Sequence, residues 1–294
     1  MPKPAKLDRL QRLNALATSP EAQLEYALGL VATEARQDVL EAVLEVLGRT
    51  PDDPRIRPAL LAAYGGLDEG GRHDAGCYVR NALLQALRPL ARREDAKLLA
   101  RAASTYEYLP PGRSEVAAGL RATGLVILNE VDEQLAGYHA VRLLTDEHTS
   151  ELSGEPAITA VQVLATQGQW LPLYGYVVRT DATMPEVVAE CLRYLAPVPL
   201  SILEPLVDRY LKSPHDIVLL GLFELLLAHE ERQVFQPIIL TFLRETKLMD
   251  LYRWLVTAAL TSRNPGLIAA VAALEPKEPD PRKLAILREA LALR

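Results

Sequence analysis

Apolar residues recur at helical spacing along nearly the whole chain, but prolines interrupt the pattern before any helix can run long. In the segment 36–48, Val39, Leu40, Val43, Leu44, Val46 and Leu47 fall on one stripe, and Asp38, Glu41 and Glu45 on the other. Ile202, Leu203, Leu206, Val207, Tyr210 and Leu211 repeat that amphipathic pattern. Helix starts are marked by a capping side chain followed by proline: Ser19-Pro20, Asp53-Pro54, Ser213-Pro214, Asn264-Pro265 and Asp280-Pro281. The cap oxygen accepts from an N–H of the first turn, and proline lacks the N–H that would otherwise be orphaned there. The chain must therefore fold as many short helices that bury one another's apolar stripes.

The layout repeats even though the letters do not. First helices of successive pairs are expected to open near Arg36, Asp74, Ser114, Glu155, Pro185, His215, Met249 and Asp280. The interval is about 40 residues early in the chain and about 30 later, the length of two helices, a turn and a linker. A two-helix unit cannot cover its own stripe, so units stack and share a core. The expected fold is all-α: a curved α-solenoid of roughly seven to eight stacked antiparallel helix pairs with a concave face. It forms a single domain over 1–294, with an opening pair in 1–35, repeats over 36–274 and a capping helix over 280–294. The segment around Ile217 to Leu226 is apolar nearly all round and suits an interior position. Gly65-Gly66-Leu67-Asp68-Glu69-Gly70-Gly71 reads as a flexible turn, and the stretch from Thr145 to Gly154 as a polar loop.

Composition narrows the functional classes. Aromatic residues make up 5 % of the chain, while Leu and Ala dominate its apolar set, as suits helix packed on helix. A net charge of −6 and a pI near 5.5 repel phosphate backbones and anionic lipid as a whole. Cys77 and Cys191 lie far apart inside apolar patterns, which predicts buried thiols and a reducing, cytoplasmic setting. The first residues lack the apolar core of a signal peptide, and the most apolar run, Ile217 to Ala228, falls short of the roughly 20 residues that span a bilayer, so no membrane role is expected.

The paired helices and the segments DVLEAVLEVL, YVRNALLQAL, AITAVQVLA and EVVAECLRYL resemble the HEAT-repeat (HEAT/armadillo-like) superfamily. The resemblance covers about Arg36 to Leu274 and implies architecture more than activity, because that superfamily includes scaffolds, transport receptors, enzyme subunits, bilin lyases and a DNA glycosylase branch. The regular Asp and Arg positions that ladder along many such arrays are not evident in the letters.

Catalytic, cofactor and metal motifs give no purchase. His229-Glu230 is a lone dyad on a helical pattern and reads as a histidine at a helix C-terminus. Asp146, Glu147, Glu151 and Glu155 read as a solvated loop. Neither cysteine has a histidine near it in sequence, and no phosphate-cradling glycine motif appears, so no cofactor is expected. The one suggestive feature is basic. Arg93, Lys97 and Arg101 recur every four residues on an expected helix, with Arg88 and Arg92 upstream and Arg80 on the partner helix. Through Arg101 the chain has 15 basic and 14 acidic residues, and afterwards 17 and 24. The leading expectation is a non-enzymatic scaffold or adaptor that presents a concave helical surface to a protein or peptide partner. Nucleic-acid binding through the basic stripe, disfavoured by net charge, and an accessory or lyase-type subunit of an enzyme complex are the alternatives.

Overall fold

The computed structural model describes residues 6–34, 36–68, 74–111, 114–179 and 184–293. It is all-helical, with seventeen α-helices and a single two-stranded hairpin among the described residues. The chain divides into two compact units, 1–163 and 164–294. The first contains α1 (Lys6–Ala15), α2 (Pro20–Val31), α3 (Gln37–Gly48), α4 (Ile56–Asp68), α5 (Tyr78–Leu87), α6 (Ala96–Ala102), β1 (Tyr108–Leu109), β2 (Ser114–Glu115), α7 (Ala118–Val131) and α8 (Glu133–Leu144). The division falls inside α9 (Ala157–Thr166). The second contains α10 (Trp170–Val178), α11 (Pro185–Arg193), α12 (Leu200–Tyr210), α13 (Asp216–Ala228), α14 (Gln236–Glu245), α15 (Met249–Thr261), α16 (Pro265–Ala272) and α17 (Pro281–Ala292). No helix among the described residues is long and apolar enough to cross a membrane.

The proline signals act locally, as their chemistry requires. Helices α2, α16 and α17 begin on Pro20, Pro265 and Pro281. Asn264 Oδ1 accepts from the Leu267 N–H at 3.1 Å, and Asp280 Oδ1 from the Arg282 N–H at 2.8 Å. Asp53-Pro54 and Ser213-Pro214 instead form turns one step ahead of α4 and α13, where Asp53 accepts from Arg55 N and Ser213 from His215 N. Two expectations need correction. Gly65, Gly66 and Leu67 continue α4 rather than forming a turn, because Tyr64 and Leu67 are buried and hold the helix past its glycines; Glu69, Gly70 and Gly71 lie outside the described residues. Ser114 opens no helix: it pairs with Leu109 in the hairpin, and α7 starts at Ala118.

Within each unit, alternate helices pack on one another. In the first, α1 meets α3, α3 meets α5 and α5 meets α7; in the second, α11 meets α13, α13 meets α15 and α15 meets α17. Helix α13 buries Val218, Leu219, Leu222, Phe223, Leu225 and Leu226. It comes so near α11 that a Cβ on Gly221 would sit 2.8 Å from Ala189 Cα. Gly124 of α7 similarly leaves room for Ala102 and Ala103.

Helix C-termini are closed by cations arriving from later helices. Arg142 of α8 donates to Ala103 O just past α6 at 2.6 Å. Arg209 of α12 donates to Val178 O and Arg179 O at the end of α10, at 3.1 and 3.0 Å, and the Tyr210 hydroxyl donates to Val177 O at 2.7 Å. Lys283 of α17 is 4 % exposed and donates to Leu243 O and Arg244 O of α14, both at 2.9 Å. Each cation neutralises the negative end of a helix dipole while satisfying carbonyls that have no partner within the helix.

The close approach at Gly221 gives a direct test. Gly221→Ala forces α11 and α13 apart and is expected to cost about 1–3 kcal/mol in urea unfolding. Gly175→Ala on α10, where a Cβ meets nothing within 4 Å, is expected to gain about 0.5–1 kcal/mol from helix propensity. Equal midpoints for the two variants would show that the helices are not in contact there.

Candidate functional site

The six basic residues of the expected stripe do not form one exposed α-helical ridge. Arg80 is buried on α5, where its Nε donates to Asp74 Oδ2 at 3.0 Å and Nη2 pairs with Glu107 and reaches Cys77 Sγ at 3.2 Å. Burial works against that guanidinium, but hydrogen bonds from it to Asp74 and Glu107 more than offset the penalty and raise its pKa. Arg88 opens a 3-10 turn and donates through Nε to Glu130 of α7 at 2.8 Å. Arg92, Arg93, Lys97 and Arg101 remain exposed. They do not share one α-helix, because Arg93 lies in a 3-10 turn and α6 begins only at Ala96. The cause is Asp95. Its side chain accepts from the Arg92 N–H at 2.8 Å and is held by Arg57 of α4 at 2.7 Å, which fixes a capping turn where the charge spacing suggested a continuous helix.

A larger constellation lies next to this one. Arg121 of α7 is wholly buried, 0 % exposed. It pairs with both carboxylate oxygens of Glu115 at 2.8 and 2.9 Å. It also donates to Thr105 O at 3.0 Å and His148 O at 3.2 Å, and its guanidinium stacks 4.2 Å from the Tyr106 ring centre. Its Nε lies 3.1 Å from Asp146 Oδ2, close enough for ion pairing but not aligned as a hydrogen bond. Asp146 is thus an internal counter-ion and not part of a solvated acidic loop. The Glu115 carboxylate also accepts from the Glu107 and Ala117 N–H groups, so the Arg80 and Arg121 networks join through the hairpin. A buried charge set of this kind is tolerable only because each member is paired.

Above Arg121 lies a depression of about 450 Å³ lined by Tyr106, Tyr108, Arg142, Thr145, Glu147 and His148, among others. The Tyr106 hydroxyl donates to Asp146 at 2.9 Å and accepts from Arg142 at 2.8 Å. Burial, then the bond to Asp146, pushes its pKa up. Tyr108 Oη and His148 Nε2 are 2.8 Å apart, and the His148 ring meets both tyrosines edge-on at 5.6 and 5.3 Å. Tyr108 stays 47 % exposed; one turn before Arg142 on α8, Tyr138 is 71 % exposed. The result is an exposed aromatic and arginine surface in which Tyr106, resting on Arg121, is bonded to Arg142, and Tyr108 to His148, the composition that dominates protein-binding energetics.

The remaining candidates are structural. His229 is buried at the end of α13, donates from Nε2 to Val198 O at 3.1 Å and accepts at Nδ1 from the Glu231 N–H at 3.0 Å, so both ring nitrogens are spent. Among the described residues no group of three His, Cys, Asp or Glu converges to hold a metal ion. Cys77 and Cys191 are buried free thiols. Burial, then a hydrogen bond to Glu107, pushes the Cys77 pKa up to about 12, which keeps the thiolate away from neutral chemistry.

Sequence reasoning missed Arg121, Tyr106, Tyr108 and His148. The available signal was pairing at fixed distance: Asp74 and Arg80 stand six residues apart, as do Glu115 and Arg121, each with its arginine inside an apolar helix. No family model, no curated protein and no solved structure matches the chain.

Two outcomes test this network. Arg121→Met strands the Glu115 and Asp146 carboxylates and is expected to lower the unfolding free energy by about 3–5 kcal/mol; an unchanged urea midpoint would refute the buried pairing. For Cys77, the unfolded thiol ionises above its ordinary value of 9.0 while the folded one holds its proton to about 12. The unfolded state therefore binds fewer protons in that window, and stability falls as pH rises through it. The decline should be shallower in Cys77→Ala, and an identical slope in both proteins would count against a protonated, buried thiol.

Proposed function

We propose that the chain is a non-enzymatic scaffold or adaptor of the HEAT-like α-solenoid kind, built from seven to eight helix pairs, that binds a protein or peptide partner on a concave helical face. The packing of alternate helices supports the architecture: α1, α3, α5 and α7 in one unit and α11, α13, α15 and α17 in the other follow each other as first helices of stacked pairs would. All eight expected openings lie within four residues of an α-helix start, although Ser114 itself belongs to the hairpin strand before α7. The observation that carries the functional reading is the exposed surface formed by Tyr106, Tyr108, Arg142 and His148, in which Arg121 holds the Tyr106 ring and the His148 carbonyl, Tyr106 bonds Arg142 and His148 meets Tyr108. Rigid aromatic and arginine side chains lose little entropy on binding, so they return more of their contact energy as affinity.

Nucleic-acid binding is the weaker reading, since Arg80 and Arg88 are already paired with carboxylates. A shift of duplex DNA that vanishes with salt and with charge reversal at Arg93 and Lys97 would favour it.

The test of the scaffold reading is cross-linked capture from native extract with the unmodified chain and with Tyr108→Ala. The captured partner is expected to bind the variant about tenfold or more weakly, with no loss of thermal stability because Tyr108 is half exposed. Equal affinity for both proteins would remove this surface from the interface, and turnover of a substrate with no partner captured would end the scaffold reading.

A further inference from the structure

The hairpin leaves backbone groups to spare on one of its edges. Val116 N–H donates to Glu107 O at 2.9 Å, and β1 and β2 place Tyr108 opposite Glu115 and Leu109 opposite Ser114. In an antiparallel pair, residues that exchange bonds alternate with residues that do not. That bond and that register make Leu109 and Ser114 the exchanging pair, so the N–H and C=O of Tyr108 point away from β2, toward the outer edge of β1. Neither group has a hydrogen-bond partner among the described residues, and the same holds for the N–H and C=O of Tyr106 two residues earlier. Glu107 between them is turned the other way, since its C=O bonds Val116 and its N–H the Glu115 carboxylate. Buried backbone groups are almost always paired, so four unpaired ones, on residues 37 % and 47 % exposed, face solvent.

We propose that the edge of β1 at Tyr106 and Tyr108 receives an extended segment of a protein partner, rich in β-branched residues, which adds a third strand to the hairpin. The inference rests on the reading of the chain as a protein-binding scaffold and names how that surface is occupied. Two residues at i and i+2 offer two N–H donors and two C=O acceptors to one side, and a chain in strand conformation returns acceptors and donors at the same spacing. A helical segment has its N–H and C=O groups bonded internally. A polyproline segment lacks the N–H groups that the tyrosine carbonyls need. Val and Thr side chains on the added strand pack against the exposed tyrosine rings, a favourable cross-strand pairing. The depression of about 450 Å³ that Tyr106 and Tyr108 line together with Arg142, Thr145 and His148 gives the added chain its room.

Amide hydrogen exchange in the isotope-labelled full-length chain tests the edge residue by residue. In the free chain the Tyr108 amide is expected to exchange fast, and the Leu109 amide, bonded to Ser114 O, slowly. The probes are acetyl-Thr-Val-Thr-Val-Thr-amide and the same peptide with its three central residues N-methylated, which keeps every side chain and removes donors from both edges of the peptide. The first is expected to slow exchange at Tyr106 and Tyr108 about tenfold or more at saturation, and the second to bind about tenfold or more weakly. Tyr108→Pro removes the Tyr108 N–H, which takes no part in the bonds to β2. It is expected to bind the first peptide about tenfold more weakly than Tyr108→Ala, which keeps that N–H. The N-methylated control needs no variant, so it decides the matter even where Tyr108→Pro lowers the melting temperature. A Tyr108 amide already protected in the free chain, no protection by the first peptide, or equal binding of the two peptides would each overturn strand addition. A captured partner that is weakened by Tyr108→Ala but leaves the Tyr106 and Tyr108 amides unprotected would overturn it and leave the scaffold reading intact. Failure to capture any partner, with the peptide still protecting Tyr108, strikes the scaffold reading and not the edge.

Discussion

A helix of seven to fourteen residues, the range from α6 to α7, leaves about four N–H and four C=O groups at its ends without intrahelical partners. Multiplied over a chain of short helices, those end groups are the constraint on which the rest of the structure depends. The N-terminal ends are dealt with within a few residues, by proline and by Asn264 and Asp280 caps. Several C-terminal ends are dealt with at long range by Arg142, Arg209 and Lys283. Apolar burial brings the helices together, but these cations decide which helix end lies beside which side chain. For Lys283 the loss of hydration is offset by two carbonyls, a helix dipole and the face of the Tyr252 ring, 5.1 Å from Nζ.

The same logic explains how an irregular stretch can carry a defined surface. Residues 103–109 and 145–148 lie between helices and have little regular backbone pairing of their own. Arg121 supplies the missing partners, since it bonds Thr105 O and His148 O and sits against Glu115, Asp146 and the Tyr106 ring. A single buried guanidinium, with its five donors in a fixed plane, can join this many groups where a lysine could not. Tyr106 rests directly on that guanidinium, and Tyr108 is tied to it through His148.

Much of the fold was legible because its causes are local. Apolar spacing and cap-proline pairs place α2, α3, α11, α13, α15, α16 and α17 to within a residue or two, and the nearly uniform apolarity of α13 announces its burial. The burial of Cys77 and Cys191 was legible for the same reason. What escaped depends on contacts between residues distant in sequence. Gly65 and Gly66 look like a turn until the buried Tyr64 and Leu67 are seen to hold the helix. Arg93, Lys97 and Arg101 look like one helical ridge until Arg57 pins Asp95 into a capping turn. Charge spacing on a helix presumes solvent on one side, so it cannot show that Arg80 and Arg121 turn inward to meet carboxylates on other segments. The hairpin at Tyr108–Leu109 and Ser114–Glu115 is too short to leave a period in the letters.

The reach of the lysine at position 283 sets the grain in which its unit breathes. It grips carbonyls 39 and 40 residues back along the chain, across the intervening α15 and α16. Peeling α17 away alone strips two acceptors, and fraying the end of α14 alone strands an ammonium in an apolar surround, so either event is dearer than opening the four helices as a block. Hydrogen exchange over 236–292 is therefore expected to show one collective opening, where a chain of helices joined only to immediate neighbours would unzip pair by pair.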